Sequence, residues 1–377
     1  MLVRLFIYIM YRYNAYISKQ LIHSTLLITF SLTSIVWLTQ ALRFIDFIVN
    51  QGVSITMFLT LTTLLVPSLL FMILPPAFFC AVLFSYNKLK VDSELVVMQA
   101  AGLSNWKLAR PALQVGAVVM TLCYFIAFYL QPVSYAKFKD MQIFLRNNYV
   151  SILLQEGVFS TPVAGLTVFI RERDKDNILH GILVHDSRTA GSSVTMMAEE
   201  GELVQTPQGP RFFMKNGNRQ EIKDGRLSFL NFASYTLDIS LYTDTMNARY
   251  KEPQEMYLND LFAPDSTVLE AEAKRRWAEG NQRLIWPGYT ICLTLVALSV
   301  LVSGQFNRRG HWQKLVIACV ITAVLLFASV GLRGAMSINP VMTVVAWLNL
   351  IVPAVAAAWV INGGAVPNLR RLVRANP

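Results

Sequence analysis

The sequence has few of the residues from which soluble enzymes and disulfide-rich proteins are built. Charged residues make up only 15% of its 377 positions, and it contains four histidines and four cysteines. Each cysteine lies alone inside a long apolar run, and no two form a CxxC pair. No disulfide framework is therefore expected, and we interpret the cysteines as small apolar residues of membrane helices.

The common motifs of nucleotide-dependent and hydrolytic enzymes are also absent. The chain contains no GxxxxGKS, GxxxxGKT, GxGxxG, HExxH or GxSxG sequence, so neither a catalytic site nor a phosphate-binding loop is predicted. His180 and His185 are five residues apart in a strand-like segment, which puts them on opposite faces and argues against a metal site. The apolar runs hold no chain of carboxylates for a proton or sodium relay. If the protein moves a substrate, we expect a partner to supply the energy.

Apolar residues dominate instead. They form 54% of the chain, and the mean hydropathy is +0.44, which is typical of a membrane protein. A helix that crosses a bilayer needs about 20 apolar residues. The second of the qualifying segments is too long to stand upright, and Pro67 and the pair Pro75-Pro76 predict kinks in it. The six predicted spans are residues 21–42, 55–86, 111–131, 284–303, 315–332 and 341–361.

Basic residues lie mainly on one side of these spans. The net charge is +10, but the two short loops on the opposite side hold only Arg43 and Arg333. Because lysine and arginine are enriched on the cytoplasmic side, both termini are predicted to be cytoplasmic. We read the charge as a signal for orientation and lipid headgroups, and no nucleic-acid partner is expected. The basic segments are 1–20, 87–110, 304–314 and 363–377.

The region 132–283 differs from the rest because its apolar runs are short and its charges nearly balance. Asn216-Gly217 predicts a tight hairpin, since a type I′ turn needs positive φ at both central residues. The pattern predicts a sandwich or jelly roll of antiparallel strands, followed by a helical connector over 254–283. The predicted strands are 165–171, 178–185, 194–198, 202–206, 211–215, 226–230 and 235–241, with turns near 174–177, 190–192, 207–210, 216–218 and 223–225.

The fold class predicted from these patterns is a mixed membrane protein. Six transmembrane α-helices, three plus three, flank an inserted periplasmic antiparallel β-jelly-roll domain. The predicted divisions are an interfacial helix at 1–20, spans one to three at 21–131 with a cytoplasmic helix at 90–104, the β domain and connector at 132–283, spans four to six at 284–362, and a cytoplasmic tail at 363–377.

The cytoplasmic segment 93–104, SELVVMQAAGLS, has the features of a short helix. Asp92 and Ser93 are candidate caps, and Glu94 in the first turn favours the positive end of the helix dipole. Gly102 is expected to end the helix, and Ser104 to cap the next one. These local roles would account for Glu94 without any partner, so a purely structural role stays open.

The layout and this segment resemble the lipopolysaccharide-export permeases of the LptF/LptG family. The segment 93–104 matches that family's signature at nearly every position, after Ile73-Leu74-Pro75 and Asn87-Lys88-Leu89; a looser similarity covers 281–287. The overall character favours the F type.

The resemblance implies an ATP-driven machine in the inner membrane of a Gram-negative bacterium. It would extract lipopolysaccharide from that membrane and pass it to a periplasmic bridge towards the outer membrane. The implied partners are a cytoplasmic ABC ATPase dimer, a second six-span permease, a single-span accessory subunit and periplasmic jelly-roll bridge proteins. ATP and magnesium would be bound by the ATPase, and no cofactor by this chain.

The resemblance also gives candidate site residues. Glu94 would meet the ATPase, with Leu95, Met98 and Leu103 as apolar anchors. Arg43 and Arg333 would bind the phosphorylated lipid headgroup, to which guanidinium groups are suited. An ion pair with Asp46 or simple snorkelling is the alternative for Arg43. The acyl chains would follow residues that could equally be ordinary lipid-facing side chains. The ATPase-coupling set is Glu94, Leu95, Met98, Gly102, Leu103 and Ser104, and the lipid-path set is Leu32, Ile35, Val36, Phe327 and Val330.

Two other functions remain open on the sequence alone. One is a different ABC-type permease or mechanotransmitter, although such chains typically have four spans. The other is a non-transporting membrane scaffold whose β domain binds a periplasmic protein. A scaffold would need no ATPase, so loss of Glu94 would leave it unaffected.

Overall fold

The computed structural model describes residues 2–45, 54–148, 156–163, 165–174, 178–189, 192–206, 209–223, 226–238, 251–263, 268–302 and 311–363. The chain forms two compact units. The first comprises Met1–Arg43, Thr62–Lys137 and Glu252–Pro377, and the second comprises Phe44–Leu61 and Phe138–Lys251. Of the predicted tail at 363–377, all but Gly363 lies outside the described residues.

Most of the described helices belong to the first unit, but the helical residues 55–61 and 138–148 belong to the second. The helices are α1 (Leu2–Arg43), α2 (Ile55–Thr63), α3 (Val66–Val91), α4 (Glu94–Ala100), α5 (Asn105–Phe125), a π-helical turn (Ile126–Leu130), α6 (Gln131–Asn148), a 3₁₀ turn (Pro253–Glu255), α7 (Leu258–Phe262), α8 (Glu270–Leu301), α9 (His311–Met336) and α10 (Met342–Ile361). The predicted interfacial segment and first span form the single helix α1.

Six helical stretches in the described part of the chain are long and apolar enough to cross a membrane, as judged by length and composition. The predicted arrangement, six helices with an inserted antiparallel β domain, is confirmed. The stretches are Tyr13–Arg43, Ile55–Val91, Asn105–Ile143, Glu270–Leu301, Trp312–Met336 and Met342–Ile361.

The central helix of the first unit is α8. In its most apolar 18-residue stretch, 72% of the residues are buried, against 17% to 33% in the other five spans. Tyr289, Leu293 and Leu298 of this helix have no exposed side-chain surface. Helices α3, α5, α9 and α10 all contact α8, so the packing of this unit is centred on α8.

The second span is interrupted at one of the two places where its prolines predict a kink. Helix α2 ends at Thr63 and α3 begins at Val66, so that Pro67 occupies the first turn of α3, where its missing N–H is not needed. Pro75 and Pro76 instead lie within α3, which continues through them. The carbonyl oxygen of Phe71, four residues before Pro75, accepts a hydrogen bond of 2.8 Å from Nε1 of Trp286.

The second unit contains a six-stranded antiparallel sheet whose strands follow one another in chain order. Strands β3 to β6 are joined across two-residue gaps, because Thr189 pairs with Ser192, Thr206 with Gly209 and Lys223 with Arg226. Turns at these positions were predicted. The strands are β1 (Ser160–Val163), β2 (Leu166–Arg173), β3 (Leu179–Thr189), β4 (Ser192–Thr206), β5 (Gly209–Lys223) and β6 (Arg226–Asp238).

The hairpin predicted at Asn216-Gly217 is wrong, because both residues lie inside β5. Asn216 takes a positive φ of 51°, which asparagine tolerates better than most residues. Gly217 is needed for space, since a Cβ there would lie 2.2 Å from the carbonyl oxygen of Met197 and 2.5 Å from the ring of Phe232. The two residues make a bend within a strand, so 211–215 is only part of β5. The strands predicted at 194–198 and 202–206 are likewise both parts of β4. Those predicted at 226–230 and 235–241 are both parts of β6, with 239–241 outside the described residues.

The bend at Asn216 belongs to a line that crosses the sheet. Along this line, one residue on each strand from β2 to β6 is left out of the strand pairing. The residues just before and just after it pair in the same register. Side chains on either side of the line form one buried cluster, which includes Val168, Val184 and Met214. The sheet therefore folds around a single core. The skipped positions are Arg171, Gly181, Glu199, Asn216 and Ala233.

Candidate functional site

The short helix α4 ends as its sequence predicts. Gly102 has a φ of 87°, and its N–H donates to the carbonyl of Gln99 at 3.0 Å, while that of Leu103 donates to Met98 at 3.2 Å. This pair of bonds is a Schellman motif, which satisfies the last carbonyls of a helix and usually needs glycine at the left-handed position. Gly102 therefore fixes where α4 stops.

Of the two serines predicted to cap helices here, Ser104 caps the following helix and Ser93 does not cap α4. Ser104 caps α5, since its hydroxyl accepts a hydrogen bond from the N–H of Lys107 at 3.4 Å. The expected cap by Ser93 is wrong, because Ser93 has a left-handed backbone with φ 62° and makes no side-chain capping bond. Asp92 and Ser93 instead form the tight turn between α3 and α4. This turn places α4 directly after the end of the second span.

Helix α4 has an inner and an outer face. Leu95 is 2% exposed and belongs to the core of the first unit, and Met98 and Leu103 pack against that core. The outward-facing apolar side chain is Val97, which is 66% exposed, and Glu94 is partly exposed. The three predicted anchors therefore hold α4 to its own protein, and the surface available to a partner is formed by Glu94, Val97 and their neighbours.

Three polar side chains in and beside α4 reach the ends of distant membrane helices. Nζ of Lys90 lies 3.0 Å from the carbonyl oxygen of Leu301, the last residue of α8. Nε2 of Gln99 lies 3.3 Å from the carbonyl oxygen of Val302. Nδ2 of Asn105 lies 3.3 Å from the carbonyl oxygen of Ile361, the last residue of α10. The α4 region is thus bonded to the ends of two spans.

The two arginines predicted to bind a headgroup have different surroundings. Arg43 is the last residue of α1 and is exposed; Asp46, its alternative partner, lies outside the described residues. The side chain of Arg333 is 46% exposed, and its guanidinium lies 2.7 Å from Oε2 of Glu279. The ion pair therefore fixes the orientation of the Arg333 side chain, while part of its surface stays accessible.

Glu279 connects Arg333 to a second, buried arginine that the sequence reading missed. Oε1 of Glu279 accepts a bond of 3.1 Å from Nε of Arg283, whose side chain is fully buried. The guanidinium of Arg283 also donates to the carbonyls of Pro253, Gln254 and Met256 at 3.1, 2.9 and 2.8 Å. A buried charge is tolerated when it is paired and its donors are satisfied, and both conditions hold here.

A sequence signal for this cluster existed but was weak. Glu279 and Arg283 are four residues apart on α8, the spacing at which side chains meet on one face of a helix. The same spacing occurs in Glu272 and Arg276, which form an ordinary ion pair. The buried pair differs in that carbonyls within the segment 253–256 bind Arg283. Nothing in the sequence around Glu279 and Arg283 indicates that contact.

The residues predicted to line the lipid path are mostly exposed on this single chain. Val36 is partly buried. Exposure of this kind suits contact with lipid, with a second permease or with a transported acyl chain, and so does not choose between these roles. The exposed fractions of the others are 38% for Leu32, 64% for Ile35, 79% for Phe327 and 56% for Val330.

Six spans, an inserted β domain and a short helix that is hydrogen-bonded to the ends of the spans define a multi-pass membrane protein of the permease type. Residues 15–363 match the profile of the family described as "Lipopolysaccharide export system permease LptF/LptG". The chain belongs to this family, as the signature at 93–104 suggested.

Individual relatives support the same assignment. The chain is 31% identical over 344 residues to "Uncharacterized protein RP871" of Rickettsia prowazekii, a match that covers 90% of this chain and 95% of that protein. It is 24% identical over 354 residues to "Lipopolysaccharide export system permease protein LptF" of Escherichia coli K12, with 90% and 92% covered. The LptF of Shigella flexneri matches with the same values. The resemblance therefore extends over nearly the full length of these proteins.

Proposed function

We propose that this chain is the F-type permease of an ATP-driven exporter that extracts lipopolysaccharide from the inner membrane of a Gram-negative bacterium. The observation that carries the proposal is the family match over 15–363, which includes both the spans and the inserted domain. The similarity to relatives named LptF supports the F type. The second permease of the complex would then be of the G type.

The proposed orientation follows from the basic residues. With both termini and α4 in the cytoplasm, the β domain lies in the periplasm, in agreement with the positive-inside rule. An accessory single-span subunit and the bridge of jelly-roll proteins would meet the chain on that side and receive the lipid.

The energy would reach the chain through α4. In this proposal Glu94 and Val97 face a groove of the partner ATPase, because a short amphipathic helix docks by its exposed face. Leu95, Met98, Gly102, Leu103 and Ser104 hold that face in position. The ATPase dimer binds the ATP and magnesium, and this chain hydrolyses nothing.

The lipid would enter beside α1 and α9. Arg43 and Arg333 are cations near the outer ends of these helices, suited to a phosphorylated headgroup. Glu279 holds the guanidinium of Arg333 in an ion pair of 2.7 Å, and 46% of the Arg333 side chain stays exposed. The acyl chains would run along Leu32, Ile35, Val36, Phe327 and Val330.

Affinity purification in mild detergent tests the proposal. The tagged chain should recover a soluble ATPase with a phosphate-binding loop, a second six-span permease and bound lipopolysaccharide, each identified by mass spectrometry. Recovery of a G-type partner would support the F assignment. A chain that carries neither ATPase nor lipopolysaccharide would overturn the proposal and favour a scaffold.

A further inference from the structure

Helix α8 ends at Leu301, beside α4. The last four carbonyls of an α-helix have no partner within the helix. At the end of α8 two such oxygens, those of Leu301 and Val302, accept hydrogen bonds from Lys90 and Gln99 at 3.0 and 3.3 Å. These donors come from α3 and α4, about 200 positions earlier in the chain.

Lys90 is unusual because it is a lysine with only 4% of its surface exposed. Lysine is rarely buried to this extent. Its oxygen partner belongs to Leu301, which is 3% exposed, so water has little access to compete for the bond. A cation near the end of a helix also interacts favourably with the negative pole of the helix dipole. Lys90 therefore acts here as the cap of α8.

The position of Lys90 in the chain gives this cap a mechanical consequence. It is the residue before the end of α3, and only Asp92 and Ser93 separate α3 from α4. Gln99, on α4 itself, holds the next oxygen of the same helix end. Helix α4 is thus bonded to α8 directly through Gln99, and the last turn of α3, two residues before α4, is bonded to it through Lys90. A shift of α4 relative to α8 would break the first bond and strain the second.

We propose that Lys90 and Gln99 are positioning residues that transmit movement of α4 to the central span α8. The proposal rests on the function proposed above, in which α4 receives the movement of the ATPase. Because α8 contacts four other spans, a displacement of its cytoplasmic end reaches the membrane unit as a whole. Asn105, bonded to the end of α10, provides a similar link to the last span.

The experiment measures ATP hydrolysis and lipopolysaccharide release together, in the complete complex reconstituted in lipid vesicles with lipopolysaccharide. Lys90→Met and Gln99→Leu each shorten the side chain by one heavy atom and remove its hydrogen-bond donors. Both variants should still bind the ATPase and hydrolyse ATP within about twofold of the wild type. The lipopolysaccharide released per ATP should fall about tenfold. Lys90→Arg, which keeps a donor, should restore at least half of the coupling.

Lys88→Met is the matched control, because Lys88 lies on the same helix end but is exposed. It should release lipopolysaccharide at the wild-type ratio. The proposal is overturned if Lys90→Met keeps the wild-type ratio, or if hydrolysis and release fall equally. If Lys90→Met fails to assemble, the release ratio of Gln99→Leu tests the proposal instead, since Gln99 is only partly buried. If neither variant assembles, the two residues have a purely structural role and the proposal is overturned. If the wild-type complex itself releases no lipopolysaccharide, the proposed function fails instead.

Discussion

The indole nitrogen of Trp286 donates a hydrogen bond of 2.8 Å to the carbonyl oxygen of Phe71. In an α-helix this oxygen would accept from the residue four positions later, but that residue is Pro75, which has no N–H. The thiol of Cys123 lies 3.8 Å from the same oxygen. A proline inside one membrane helix is therefore compensated by side chains from two others, α5 and α8.

Trp286→Phe should destabilise the membrane unit, because the Phe71 oxygen would stay buried without its main donor. An unsatisfied buried polar group costs about 1–3 kcal/mol. The loss is measurable as a lower unfolding temperature in detergent. Pro75→Ala is the informative partner variant, since its N–H can reach Phe71. In that background Trp286→Phe should cost less, and a strictly additive double mutant would contradict the explanation.

Glu94→Lys should weaken docking of the ATPase, because it reverses the charge on the outer face of α4. We expect at least a tenfold loss of ATPase recovered with the purified chain, together with loss of lipid export. Asp92→Asn is the control, since Asp92 is exposed in the adjacent turn and should retain the ATPase. Normal recovery and export in the Glu94 variant would remove Glu94 from the coupling surface.

Glu279→Ala should be strongly destabilising, because it leaves the buried Arg283 without its counter-charge. Breaking a buried pair in this way typically costs about 3–5 kcal/mol. Arg333→Gln, which affects a half-exposed arginine on the same carboxylate, should cost less than about 1 kcal/mol. Thermal unfolding of the two purified variants distinguishes them. Equal losses would mean that the cluster depends on its exposed member as much as on its buried one.

Arg43→Glu should reduce the lipopolysaccharide that copurifies with the complex, since it replaces a cation with a group that repels phosphate. We expect a severalfold loss with ATPase binding unchanged. Lys19→Glu, at an exposed position on the same helix, serves as the control and should keep the lipid. If both variants retain as much lipopolysaccharide as the wild type, Arg43 is not part of the headgroup site.

Gly217→Ala should destabilise the β domain, because its new methyl group would meet the Met197 carbonyl and the Phe232 ring at less than contact distance. Overpacking of this kind typically costs about 1–3 kcal/mol. Limited proteolysis of the second unit would detect the change. Asn216→Gly should be tolerated, since glycine adopts positive φ readily. A stable Gly217 variant would show that the strand can widen at this point.

The sequence alone was sufficient wherever the signal is local. Runs of apolar residues long enough to span a bilayer predicted all six spans, and the short apolar runs between the third and fourth spans predicted the inserted β domain. The region predicted for that domain begins instead with the helix Gln131–Asn148, and the first strand of the sheet begins at Ser160. Gly102 marked the end of α4, because a left-handed residue after a helix is usually glycine. The signature at 93–104 identified the family that the profile match later showed.

The tertiary structure decided the features that depend on residues far apart in the chain. Asn216-Gly217 has the local chemistry of a hairpin, but its neighbours in β4 and β6 keep the strand continuous and turn the signal into a bend. In the sequence, Lys90 is one of several basic residues between the second and third spans, and only the structure shows that it lies beside the end of α8. Hydropathy and turn chemistry describe a residue's preference for its immediate surroundings. Which distant donor meets which unpaired carbonyl is determined only when the helices pack.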